Sequence, residues 1–151
     1  MSLRLEVDQL RARLLTVGGQ TMDALLFIHR REGGPAAPER VRRRLNDPKN
    51  SFLPCEADDE SRLLQVDRIA FVAFAEGVSD GALDGEGAAS RAELTLDLVT
   101  GKTIQGTLLY DGKPGDRASD FLNSSADRFL LVLSDLGVTY INRRAIEQIR
   151  F

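Results

Sequence analysis

An internal duplication is the feature of this sequence that most constrains its fold. Residues 19–22 (Gly-Gln-Thr-Met) match residues 101–104 (Gly-Lys-Thr-Ile) at an offset of 82. A second set of positions shares an offset of 77: Leu45, Asn46, Phe52, Leu53, Leu64, Ile69 and Val72 recur as Leu122, Asn123, Phe129, Leu130, Ile141, Ile146 and Ile149. Self-similarity at a nearly fixed spacing is typical of repeat architectures. The sequence therefore predicts two related units of roughly 60 residues each.

The difference between the two offsets indicates where the copies diverge. It falls in residues 30–37, a turn-rich segment with two glycines and a proline, and exposed segments of this kind tolerate insertions best. Residues 75–91 are rich in glycine and acidic residues and contain almost no large side chain, which is typical of a linker. We predict a first β unit with an N-terminal extension at 1–74, an acidic linker at 75–91 and a second β unit at 92–151.

Each copy is predicted to begin with a β-hairpin. In residues 92–98 apolar side chains alternate with polar ones, Thr100-Gly101 predicts a turn, and residues 103–110 return as the second strand. The first copy repeats the pattern around Gly18-Gly19. At its N-terminus, helical spacing of Leu3, Val7, Leu10 and Leu14 competes with strand-like alternation of Leu3, Leu5 and Val7. We predict a short helix that leads into the first strand.

A short helix is predicted after each hairpin. Pro38 suits a first helical position, Asp47-Pro48 ends the first helix, and Asp116 could cap the second. Asn46 and Asn123 follow the last apolar residue of each helix, where asparagine tolerates the left-handed conformation that ends helices. A structural role is therefore preferred for both asparagines.

Three further strands are predicted to complete each unit. The nearly all-apolar run 129–133 is typical of a strand that is covered on both faces. Its counterpart in the first copy contains Pro54, which cannot donate to a β-ladder and predicts an edge or a bulge. The remaining strands are predicted at 62–66 and 69–74 in the first copy, with counterparts within 138–151 in the second.

Composition limits the classes of function. The chain has 151 residues, is 42% hydrophobic and carries a formal net charge of -3, which argues against a general binder of nucleic acid or of membrane surfaces. Its single cysteine, Cys55, cannot form an internal disulfide and fits a reducing compartment. No stretch approaches the roughly 18 apolar residues of a membrane-spanning helix. A cytoplasmic location is the expectation.

The order of elements resembles that of the Sm-like proteins. The residues that carry this resemblance are the run 101–108 (Gly-Lys-Thr-Ile-Gln-Gly-Thr-Leu), the apolar strand 129–133 and the run 140–146 (Tyr-Ile-Asn-Arg-Arg-Ala-Ile). In that family a glycine-containing strand pair precedes a bent strand, and a basic or polar turn precedes a final isoleucine-rich strand. Arg143 and Arg144 match that turn. The pattern also resembles an uncharacterised family of bacterial proteins.

The resemblance implies a mainly β fold of two tandem Sm-like or SH3-like β units. Each unit carries a short inserted helix, which the Sm-like proteins lack, and we expect pseudo-twofold symmetry between the copies. The resemblance also implies an RNA-binding aspartate and asparagine just before the apolar strand. These would fall near Ala126 and Leu130, neither of which has the required chemistry.

The sequence offers little catalytic machinery. His29 is the only histidine, so a site with two histidines is excluded, and it ends an apolar strand where a structural role is favoured. Cys55 is predicted to be a buried, unreactive thiol. The acidic run 58–60 is interpreted as a solvated hairpin turn rather than a cation site, and 33–35 (Gly-Gly-Pro) lacks the lysine of a phosphate-binding loop. We expect no enzyme activity, no cofactor and no metal.

Two features keep a binding function open. Positive charge is concentrated on the first predicted helix and on the last turn, so the candidate binding surface is Arg40, Arg42, Arg43, Arg44, Arg143 and Arg144. The helix arginines could be a solvated face paired with the acidic linker, or a contact for phosphate or RNA. The second feature is the strand edges of small bent sheets, whose unpaired backbone groups favour pairing with the other copy or with another chain.

The leading hypothesis is a non-enzymatic adaptor or regulatory module that binds a protein partner in the cytoplasm. A homodimer through strand edges is a further expectation, and no membrane partner is expected. The alternative is an Sm-like RNA-binding protein. It requires exposed aromatic side chains for base stacking, and only Tyr110 and Tyr140 are candidates.

Overall fold

The computed structural model describes residues 7–29, 37–74, 90–111 and 117–151, and its fold is mainly β. The strands of the first segment, which ends at residue 74, are β1 (Val7–Thr16), β2 (Thr21–His29), β3 (Phe52–Ala57), β4 (Glu60–Gln65) and β5 (Ile69–Phe74). Those of the second segment, which begins at residue 90, are β6 (Ser90–Leu98), β7 (Thr103–Tyr110), β8 (Phe129–Ser134), β9 (Gly137–Asn142) and β10 (Ile146–Arg150). The helices are α1 (Ala37–Asn46) and α2 (Ala118–Ser124), and 3-10 turns at Val66–Arg68 and Arg143–Ala145 precede β5 and β10.

All ten strands belong to one antiparallel sheet in the order β10-β6-β7-β8-β9-β5-β1-β2-β3-β4. Each segment contributes five adjacent strands, and in each the last strand lies beside the first. The bounds of β3, β4 and the first 3-10 turn are those of β8, β9 and the second 3-10 turn shifted by 77 residues. These elements of the two segments therefore share one offset of 77 residues.

The hairpin turns arise from glycine at the same place in both segments. Gly19 and Gly101 have φ values of 91° and 90°, a region that glycine enters without steric cost. Their amides donate to the carbonyls of Thr16 and Leu98, each over 2.9 Å. The predicted turns at Gly18-Gly19 and Thr100-Gly101 are thus confirmed.

The structure corrects three local predictions. The N-terminal helix is wrong, because Val7–Thr16 is a strand that pairs with β2 over nine residues. Asn46 and Asn123 both lie in the helices, and neither has the left-handed backbone conformation that was expected at helix ends. β6 begins at Ser90, two residues before the alternation at 92–98 that predicts this strand. The predicted cap Asp116 and most of the predicted linker lie outside the described residues.

The two segments meet where β5 pairs with β9, in the register Phe71↔Ile141, Val72↔Tyr140, Ala73↔Thr139 and Phe74↔Val138. A twofold axis between the segments would pair like edges with each other. The sheet instead joins the last strand of the first segment to the fourth strand of the second. The segments therefore follow one another in the same direction, and the expected pseudo-twofold arrangement is not the arrangement of the strands.

The hydrophobic core crosses this junction. One buried cluster combines residues of β1, β2, β3 and α1 with Phe129, Leu131 and Tyr140 of the second segment. The other combines residues of β6, β7, β8 and α2 with Leu15 and Phe71 of the first segment. The strand at 129–133 is largely buried, as the apolar run predicts.

Pro54 occupies a place in β3 that does not require its missing amide. β3 pairs with β2 only through Leu25↔Glu56 and Leu26↔Cys55, so Pro54 lies beyond the paired part of that strand. On its other side it stands opposite Leu63 of β4. The strand is second from the edge of the sheet, and its N-terminal part behaves as the local edge that a proline predicts.

Candidate functional site

The arginines of α1 do not form one exposed cationic patch. The Arg43 guanidinium lies 3.6 Å from the Glu39 carboxylate, one helical turn earlier. Arg44 is half-buried and donates to the carbonyl of Phe52 over 3.5 Å. Arg40 and Arg42 are also half-buried. Some of the arginines on this helix are therefore paired with groups of the chain itself and are not free to bind a ligand.

Arg42 and Arg43 do line a cleft between α1 and strands β7 and β8. Its volume is about 460 Å³. Its lining residues are Glu39, Arg42, Arg43, Asn46, Asp47, Leu109, Tyr110, Asp111, Asp127 and Leu131. Two guanidinium groups thus share the cleft with four carboxylates. Such a lining gives no net positive field, so it is poorly suited to a phosphate or a nucleic acid.

Arg143 and Arg144 are not among the residues that line this cleft, and they differ from each other. The Arg143 guanidinium donates to the carbonyls of Asp127 and Leu122, and the latter lies near the end of α2. Arg144 is exposed. The structure therefore makes Arg143 a positioning residue for α2 and its following loop, whereas Arg144 projects to the surface.

The two tyrosines that RNA stacking would require are buried. Tyr110 is 6% exposed and packs on Phe121, with 5.2 Å between ring centroids. Tyr140 is 0% exposed and meets Phe74 edge to face, with 5.9 Å between centroids. Neither ring presents a face on which a base could stack.

The remaining candidates from the sequence show no catalytic arrangement. Cys55 is buried, and burial raises the pKa of its thiol despite the nearby Arg62, which disfavours the reactive thiolate. Asp58 and Asp59 have φ values of 52° and 61° and form the predicted hairpin turn between β3 and β4. Within the described residues, no three histidine, cysteine or acidic side chains gather as metal ligands do. The side chain of His29 and residues 33–35 lie outside those residues.

The most developed polar contacts lie at the junction of the two segments. Asn46, at the end of α1, accepts a hydrogen bond from the amide of Phe129 over 2.7 Å and donates to the carbonyl of the same residue over 3.4 Å. The side chain of Asn46 thus pairs with both backbone groups of Phe129, as the backbone of a neighbouring β-strand would. The first helix is thereby fixed to the first residue of β8.

Arg128 closes the same region from the second segment. Its guanidinium donates to the carbonyls of Leu45, Asp47 and Asn50 over 2.9 to 3.2 Å, and it forms an ion pair with Asp67 over 3.2 Å. Three of its acceptors are carbonyls at or after the end of α1, which lack partners inside the helix. The second segment therefore caps the helix of the first.

Asn142 completes the junction at the end of β9. Its amide donates to the carbonyls of Asp67 and Ile69 over 3.2 and 2.9 Å, and its side-chain oxygen accepts from the amide of Arg144 over 3.0 Å. The residue is 1% exposed. From the sequence, Asn142 is noted only as one member of the run 140–146 and Arg128 is assigned no role, because residues that bind backbone carbonyls of another segment carry no local signature. The repeat did mark Asn46, as a helix terminus.

The outermost strands of the sheet, β4 and β10, form the candidate functional site. Each has one neighbour in the sheet of described residues, so each leaves one row of backbone groups unpaired. Leu63 on β4 is 67% exposed, and Phe151, directly after β10, is 71% exposed. These are two of the four large apolar side chains that are exposed within the described part of the chain. An exposed edge with apolar side chains is suited to strand addition.

Asp97 of β6 anchors the edge strand β10. Its carboxylate accepts hydrogen bonds from Arg150 at 2.9 and 3.0 Å, from Gln148 at 2.7 Å and from Thr103 at 2.9 Å. These hydrogen bonds, that of Arg150 foremost, lower the pKa of Asp97 to about 2. Two of the three donors belong to β10, so this carboxylate positions the edge.

This anchor predicts a pH-dependent contribution to stability. Because the folded pKa is lowered, the contribution is present above the unfolded pKa of about 3.9 and is lost as pH falls through about 2. We expect Asp97→Asn to lower the melting temperature near neutral pH. The difference from wild type should shrink between about pH 4 and pH 2, as followed by circular dichroism. A difference that stays constant over this range would contradict the assigned role.

Comparisons with known proteins leave the family open. No protein-family model matches the chain, and no match was found among curated proteins or among solved structures. Among the described residues, neither helix is long and apolar enough to cross a membrane.

Proposed function

We propose that this chain is a non-enzymatic, cytoplasmic protein-interaction module, built from two head-to-tail copies of one small β unit of the Sm-like or SH3-like kind. The observation that carries the proposal is the pair of edges that the described strands leave unpaired: β4 with the exposed Leu63, and β10 with the exposed Phe151 directly after it. Edge strands of this kind bind an extended segment of another polypeptide, with backbone hydrogen bonds for affinity and side-chain pockets for specificity.

Electrostatics and burial favour protein over RNA as the partner. The arginine-containing cleft balances its two guanidinium groups with four carboxylates, and Arg143 is engaged with backbone carbonyls. Tyr110 and Tyr140 are buried. The net charge of -3 gives no long-range attraction for a polyanion.

Site-specific photo-crosslinking tests this function in the native cell. A photoreactive phenylalanine analogue placed at Leu63 or at Phe151 should crosslink to polypeptide, because both positions are exposed on the free edges. The matched control is the same analogue at Val99, which is 50% exposed in the turn after β6 and lies on neither edge strand. Edge positions should give crosslinked protein bands that the control does not give.

Equal crosslinking at the edges and at Val99 would overturn the proposal. RNA binding has its own signature in a titration with a single-stranded oligonucleotide. We expect no affinity tighter than the nonspecific range of about 10⁻⁴ to 10⁻⁶ M at physiological salt. Submicromolar, salt-sensitive binding that is lost in the double variant Arg42→Glu, Arg43→Glu would support the RNA-binding alternative instead.

A further inference from the structure

We propose that copies of this chain assemble head to tail, with β10 of one copy pairing with β4 of the next in the manner of the internal β5–β9 junction. The inference rests on the proposed function and names its partner as a second copy. The starting observation is the direction of the sheet. Its order places β10 at one end and β4 at the other, and the duplication makes β10 the counterpart of β5 and β4 the counterpart of β9. Each free edge is thus the missing half of a junction that the chain already contains.

The internal register specifies the contacts between copies. Shifting the β5–β9 pairing by 77 residues places Ile149 opposite Leu63 of the next copy and Gln148 opposite Leu64. Phe151 then takes the position of Phe74, and Leu63 takes that of Tyr140. At the internal junction those two aromatic rings are in edge-to-face contact. The corresponding contact between copies is Phe151 against Leu63, the two side chains that are most exposed on the free edges.

Burial differs between counterparts as this assembly requires. At the internal junction Phe74, Phe129 and Tyr140 are 1%, 1% and 0% exposed, whereas their counterparts Phe151, Phe52 and Leu63 are 71%, 50% and 67% exposed. These three counterparts make up all but one of the large apolar side chains that are exposed within the described residues. Apolar surface is therefore concentrated where a further junction would cover it.

A second set of counterparts shows the same difference on the side of β10. Leu45, Ile69 and Val72 of the first segment are 0%, 1% and 0% exposed, and they belong to the buried cluster that includes residues of the second segment. Leu122, Ile146 and Ile149 are only partly buried. The second segment has apolar residues at the same positions as the first, but within the described part of the chain no further strand lies beside β10 on that side.

Polar contacts also have their counterparts. Asn46 binds both backbone groups of Phe129, and the equivalent contact joins Asn123, which is exposed, to Phe52 of the next copy. The charges on the two edges are compatible with pairing. Arg150 would stand opposite Arg62, but each is neutralised within its own copy, Arg150 by Asp97 and Arg62 by Glu60 and Asp58.

An interface of this kind is heterologous, which makes it testable by complementation. Leu63→Lys blocks β4 and Phe151→Lys blocks β10, and each leaves the other edge intact. Wild-type protein at high micromolar concentration should be oligomeric by light scattering after size exclusion, relative to the 16.6 kDa chain. Each variant alone should be monomeric. An equal mixture of the two should form a dimer that grows no further, because only one β10 and one β4 in it can pair.

The experiment has a matched control variant, and two results would overturn the proposal. Val99→Lys should keep the oligomeric mass of the wild type. In dilute protein, where the wild type is monomeric, all variants should keep its melting temperature, since these side chains are exposed. If a lysine variant melts early, Leu63→Ser and Phe151→Ser serve in its place. A monomeric wild type, or variants that do not complement, would overturn the assembly. Crosslinks from the edges to a different polypeptide would then leave the proposed interaction function standing.

Discussion

Phe129→Ala is expected to lower the free energy of unfolding by about 3 to 5 kcal/mol, the usual cost of truncating a buried phenylalanine. Phe129 is 1% exposed and belongs to the core cluster that unites the two segments. Its backbone also receives the carboxamide of Asn46. Removal of the ring would leave a cavity at the junction of the two segments, beside the contact between Asn46 and Phe129. Urea denaturation followed by circular dichroism measures the loss.

Phe52→Ala supplies the matched control for this variant. Phe52 is the first residue of β3, as Phe129 is of β8, but it is 50% exposed. In dilute, monomeric protein its truncation should change the stability by no more than about 0.5 kcal/mol. An unchanged denaturation midpoint for Phe129→Ala would show that this side chain does not contribute to the core.

Asn142→Asp is expected to be at least as damaging, at about 3 kcal/mol or more. The substitution keeps the shape of the side chain but replaces the amide donor with a carboxylate oxygen. That oxygen would face the carbonyls of Asp67 and Ile69, which the amide now satisfies at 3.2 and 2.9 Å. The other oxygen can still accept from the amide of Arg144, but the added oxygen is a buried charged acceptor that faces two further acceptors. Thermal and urea denaturation at neutral pH give the measurement.

Gln65→Glu is the corresponding control, because Gln65 is the counterpart of Asn142 at the end of β4 and is exposed. It should leave the monomer's stability within about 0.5 kcal/mol of wild type. The loss in Asn142→Asp should diminish as pH falls, since protonation removes the charge and restores one donor. Equal stability of the two variants at neutral pH would contradict the role given to Asn142.

The local elements were largely predictable from the sequence. The two hairpins follow from alternation and from glycine at 19 and 101, where a positive φ is required. α1 begins at Ala37, one residue before the predicted first position Pro38, and it ends at Asn46, directly before Asp47-Pro48 as expected. These features depend on neighbouring residues only, so a local pattern contains the information.

Elements whose structure depends on residues far away in the sequence are harder to predict. The helical spacing of Leu10 and Leu14 suggested a helix, yet β1 is a strand because β2 and β5 pair with its two sides. That pairing stabilises the extended form whatever the local spacing favours. The sequence also does not predict which strands form the junction. Two similar segments can pair through equivalent edge strands or, as here, through two different ones, β5 and β9. Likewise, the sequence shows how many arginines the chain has, but it does not show which carbonyl and carboxylate groups they bind in the fold.

The β5–β9 junction lies within one chain, and this changes how it responds to dilution. Residues 75–89 tether the two segments, and a tether of this length supplies one to the other at an effective concentration on the order of millimolar. The internal junction therefore stays formed at any protein concentration. A joint between separate copies forms only near its own Kd. Dilution of the proposed assembly would therefore release whole chains, each with its β5–β9 junction intact.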